Sequence, residues 1–69
     1  PEGAIHLLQR VIKNVPNWAS PYIALARIYE RQEADYKLQG RFSEAEQAFE
    51  LAKSIYLTAL SRITGNKSL

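Results

Sequence analysis

The chain has 69 residues, a formal charge of +2 from nine basic and seven acidic side chains, and no cysteine. That composition excludes disulfide stapling and thiolate metal sites, and the charges are interspersed, without the one-sign block that marks a nucleic-acid footprint. No run of about 18 apolar residues is present to span a membrane, and the first residues lack the charged-then-apolar layout of a signal peptide, so a cytoplasmic or other soluble intracellular setting is expected.

Three helices follow from the pattern in chain order. Ala4, Leu8, Val11, Ile12 and Val15 recur at three- and four-residue spacing, which predicts a helix over residues 2–14 that the sequence NVP closes. SPY then signals a second start: Ser20 is expected as the cap and Pro21 as a first-turn residue that needs no donor. This helix, predicted over 20–38, carries Tyr22, Leu25, Ala26, Tyr29 and Tyr36 on its apolar face, and Gly40 is placed to end it in a left-handed conformation. A capping box from Ser43 to Glu46 is expected to open the third helix, over 43–64, since no glycine or proline interrupts the chain until Gly65. No alternating β-branched run competes, so the fold class is all-α, with three antiparallel helices joined by short connections.

A chain of this size buries only about 60% of the surface its unfolded form exposes, so a thin core that leans on neighbouring segments or further copies is expected. The opening PEGAIHLL is already amphipathic and has no initiator methionine, and is read as part of a longer protein.

The spacing of Tyr22, Leu25, Ala26 and Tyr29, followed by Gly40, Phe42, Ala45, Phe49 and Ala52 in GRFSEAEQAFELA, resembles the two-helix signature of the tetratricopeptide repeat (TPR) family. Ala4, Leu8, Val11 and Pro16 are similar to the closing half of a preceding repeat, so the resemblance covers about one and a half repeats of one unit, residues 1–69. Departures are Tyr22 where the family often has tryptophan, Ala26 for its glycine, Lys53 for an apolar residue, and Leu57 for a terminating proline. Ala4 and Ala45 are also 41 residues apart, against a family period of about 34. Seven extra residues are close to two turns, so both helices of the hairpin are expected to lengthen by roughly 10 Å without changing the face each residue presents. Ala45, Ala52 and Ala59 repeat every seven residues, with Phe49, Tyr56 and Ile63 on the same interval, and the alanines are expected to let the helices approach closely.

Catalytic motifs are not found. His6 is the lone histidine and sits on a polar helical face; Glu44, Glu46 and Glu50 are accounted for by capping and the helix dipole. TGNK lacks the glycine spacing of a phosphate loop, and Asn66-Lys67-Ser68 matches a glycosylation acceptor by composition only. No enzyme activity, cofactor or metal is expected. The four tyrosines are read as core filling and Trp18 as a wedge in the corner between hairpins.

The resemblance instead implies an α-solenoid scaffold for a protein or peptide partner, bound on the concave face that first helices line. By matching spacing, that face is Ser20, Ile23, Arg27, Glu30 and Arg31, continuing to Ala34. Ile23 and Arg27 stand where the family's carboxylate-gripping variant has lysine and asparagine, so binding of a chaperone C-terminus is not expected. The third helix carries surplus apolar residues, Leu51, Ile55, Leu57 and Leu60, expected to meet either a next repeat or a second copy. The rival reading is therefore a self-association module. Nucleic-acid binding is a third, disfavoured because the basic residues do not gather on one face; a steep salt dependence would be its mark.

Overall fold

A computed structural model describes residues 2–64, which form three helices: α1 (Glu2–Asn14), α2 (Ala19–Leu38) and α3 (Phe42–Thr64). No strand occurs among the described residues. Gly65 and the Asn66-Lys67-Ser68 segment lie outside them. The predicted boundaries agree to within one residue, and residues 30–37, where the extra length falls, are helical throughout.

α2 is the middle helix. It packs on α1 along one side and on α3 along the other, and α1 and α3 do not pack on each other. The Cα positions span 39 × 29 × 13 Å, a slab whose thin dimension is little more than one helix diameter of about 10–12 Å. The α2–α3 hairpin is the larger contact, and small residues dominate it: Ala45, Ala48, Ala52 and Ala59 of α3 are buried, as are Tyr22, Leu25 and Ala26 toward the start of α2. Three of those alanines are the heptad series, and Ala48 completes the strip one turn beyond Ala45.

The turn between α2 and α3 explains its glycine. Gly40 has φ +75°, the left-handed region, and this conformation turns two amides back onto the helix end. Gly40 N–H donates to the Lys37 carbonyl at 3.1 Å and Arg41 N–H to the Tyr36 carbonyl at 2.9 Å. The Arg41 guanidinium lies over the Tyr36 ring, 5.2 Å from its centroid, so a cation–π contact takes the place of the apolar contact usual at such an end. Arg41 then starts the next helix, its carbonyl accepting from Ala45 N–H at 3.0 Å.

Both expected side-chain caps are corrected. α2 begins at Ala19 after an extended Trp18 (φ −97°, ψ 119°) with no side-chain cap bond, so Ser20 lies inside the first turn. α3 begins at Phe42, one residue before Ser43. In place of a Ser43–Glu46 box, the Arg41 side chain bonds both carboxylate oxygens of Glu44. A cap side chain must sit at the last non-helical residue, and each helix starts two residues too early for serine to do so, leaving it the second residue of the helix. Pro21, in the first turn, is buried at no hydrogen-bonding cost.

Tyr22 rather than Trp18 fills the corner between α1 and α2. It is 2% exposed, and its hydroxyl donates to the Pro16 carbonyl at 2.6 Å. Trp18 is 53% exposed. On α1, Leu8, Val11 and Ile12 are half-buried as predicted, whereas Ala4 and Val15 are exposed because α2 covers only the centre of that stripe.

Candidate functional site

The surfaces available to a partner follow from which arc of each helix is used by the core. On α2 the buried residues Pro21, Tyr22, Leu25 and Ala26 turn one side toward α1 and α3. Ser20, Ile23, Arg27, Glu30 and Arg31, at three- and four-residue steps, occupy the opposite arc, and the first three of them are exposed, as are Glu30 and Arg31 at its far end. The structure thus brings the predicted set onto one face, and within the described residues that face is a ridge between two grooves. On one side Arg31 borders a depression with Ala4, Ile28, Gln32 and Asp35. On the other, Glu30 borders a groove of about 420 Å³ with Glu33, Phe49, Lys53, Tyr56 and Leu57.

Tyr56 joins this ridge to α3. Its hydroxyl pKa is raised above the ordinary tyrosine value by partial desolvation and by Glu30 beside it, with Arg27 opposing. Lys37 pairs with Glu33 at 3.2 Å across one turn of α2. The Arg41 guanidinium is held more firmly protonated by Glu44. Neither pair is buried, and both serve helix ends and the turn.

The four residues singled out on α3 do not form one patch. Leu51 stands among Ser43, Glu46, Gln47 and Glu50 on the polar back of the helix. Ile55 is half-buried and faces a groove of about 190 Å³ between α1 and α3, with Ile12, Tyr22 and Leu25. Leu57 borders the α2–α3 groove, and Leu60 is exposed. Leu51 and Leu57, six residues apart, point about 120° away from each other.

Tyr56, read as core filling, is instead on the edge, together with the residues that share its interval. Phe49 is 46% and Tyr56 39% exposed, and Ile63 and Phe42 are exposed with them. The reading failed because one neighbour, α2, covers only the arc carrying the alanines, so residues four positions on stand at its margin. The common seven-residue interval shows only that Phe42, Phe49, Tyr56 and Ile63 share one side of the helix.

His6 lies on α1 with Gln9, Arg10 and Lys13 around a shallow depression. Among the described residues no group of three histidine, cysteine or acidic side chains is placed to hold a metal ion, and no helix is long and apolar enough to cross a membrane. Comparison with protein-family models, with curated proteins and with solved structures finds no match.

Proposed function

We propose that the chain is a non-catalytic protein-interaction module of tetratricopeptide type, which binds a peptide or protein partner through the outer face of α2. The observation that carries this reading is the division of α2 into two arcs. Its core residues Tyr22, Leu25 and Ala26 sit at the positions that resemble the repeat signature and are buried, while Ser20, Ile23, Arg27, Glu30 and Arg31 are left outside the core. An apolar Ile23 followed along the face by Arg27, Glu30 and Arg31 suits a short segment with an apolar anchor at one end and acidic residues beside it.

The test is selection of binding peptides from a displayed library against the 69-residue chain. Affinity is then measured for Ile23→Asp and for Arg27→Glu with Arg31→Glu. A loss of about tenfold or more, near 1.4 kcal/mol, at unchanged helicity supports the face. Unchanged affinity in both variants removes it. A second reading, self-association, is favoured by the apolar residues exposed along α3.

A further inference from the structure

The flank of α3 that α2 leaves uncovered carries Phe42, Phe49, Tyr56 and Ile63, one every seven residues along the whole helix. A seven-residue step drifts only about 20° around a helix, so the four make one gently coiled seam roughly 30 Å long. Their exposures, 66% for Phe42 and 40% for Ile63 at the ends with Phe49 and Tyr56 between, leave no gap in it. At about 150–250 Å² for each aromatic side chain, the uncovered parts of these four and the adjoining Leu57 amount to roughly 500 Å². Monomers rarely present a contiguous apolar patch beyond a few hundred Å², and a stable dimer needs about 800 Å² from each partner, within reach once the Lys53 stem and the Glu50 side chain are added.

We propose that a second copy of the chain packs antiparallel along this seam, with the two-fold axis passing between positions 52 and 53. The spacing is symmetric about that point: Phe42 and Ile63 lie equally far from it, and so do Phe49 and Tyr56. An antiparallel copy therefore sets Phe42 against Ile63 and Phe49 against Tyr56 at both ends of one interface, the self-complementarity that a two-fold contact requires. Charge selects the same direction. The acids beside the seam, Glu46 and Glu50, lie toward the N-terminus and Lys53 toward the C-terminus. Antiparallel packing brings each Lys53 within about 3 Å along the axis of Glu50 in the other copy, whereas parallel packing stacks Glu46 on Glu46, Glu50 on Glu50 and Lys53 on Lys53. This inference does not rest on the α2 ridge: Tyr56 adjoins Glu30 at the groove the two helices share, but the substitutions that test the ridge, at Ile23, Arg27 and Arg31, leave every seam residue unchanged.

The chain contains no cysteine, so introduced thiols read the geometry directly. On mild oxidation Lys53→Cys, beside the axis, is expected to form a disulfide dimer, well above an Arg10→Cys control on exposed α1. A mixture of Phe42→Cys and Ile63→Cys should give the mixed dimer in preference to either homodimer, since two thiols at position 42 would lie about 30 Å apart and a disulfide needs β-carbons within about 4.5 Å. Light scattering of the unaltered chain should give twice the chain mass at micromolar concentration, falling to one with Phe49→Glu and Tyr56→Glu together while helicity is kept. Homodimers of Phe42→Cys in place of the mixed species would overturn the antiparallel direction. An unaltered chain that stays monomeric at every concentration, or Lys53→Cys no faster than the control, would overturn the interface itself.

Discussion

Tyr22 and Gly40 each do one physical job that a substitution isolates. The Tyr22 ring is buried and its hydroxyl anchors the Pro16 carbonyl, so Tyr22→Phe keeps the packing and loses only the bond. The expected cost is about 1 kcal/mol in a chemical-denaturation midpoint, the net worth of one partly buried hydrogen bond. At Gly40 a β-carbon would meet nothing within 4 Å, but φ is +75°, so the cost of Gly40→Ala is backbone strain alone. It should destabilise by about 1–2 kcal/mol, and a Gly40→Asn variant should recover part of that, because asparagine tolerates the left-handed region. Tyr56 gives a pH signature. Its hydroxyl is held protonated above the ordinary value in the folded chain, so its contribution is complete below the unfolded value of about 10 and is lost as pH rises past it. The thermal midpoint of the unaltered chain should fall more steeply above that pH than the midpoint of Tyr56→Phe. Equal slopes would mean that neither desolvation nor Glu30 perturbs the hydroxyl.

At the scale of elements, the hairpin is held by small residues. Ala45, Ala48, Ala52 and Ala59 are all buried at the α2 contact, and a larger side chain there must push the helices apart. Ala52→Leu should cost about 1–3 kcal/mol; an unchanged melting midpoint would show that α2 and α3 are not in close approach at that level. Helix existence and the alanine strip were legible in the sequence, because a heptad of alanine survives lengthening by two turns and because Gly40 marks the only sharp break between α2 and α3. The caps were not. Ser20 and Ser43 are chemically suited to the role, but which residue is last before a helix depends on the path of the connection, and Trp18 and Arg41 take those places. The side occupied by Phe49, Tyr56 and Ile63 was not legible either. A period of seven says that residues share a face and not whether a single neighbour is wide enough to cover it.

The whole molecule is a slab one helix thick in which α2 is covered on two sides and α1 and α3 on one each. Such an arrangement cannot bury every apolar stripe, and the residue types left out differ between faces: arginine, glutamate and isoleucine on the α2 ridge, aromatics along the α3 edge. The ridge was readable as a set because its residues avoid the core spacing. Its shape was not, since a ridge or a groove is decided by what stands beside it. The central claim is that these are two separate surfaces, one for a partner and one for a second copy. Amide chemical shifts followed through dilution, from a concentration at which light scattering gives the dimer to one at which it gives the monomer, test it most directly. Shifts centred on the α3 edge around Phe42, Phe49, Tyr56 and Ile63, with Ser20, Ile23 and Arg31 unmoved, are the predicted result. Movement centred on the α2 ridge, or no movement anywhere, would contradict the account.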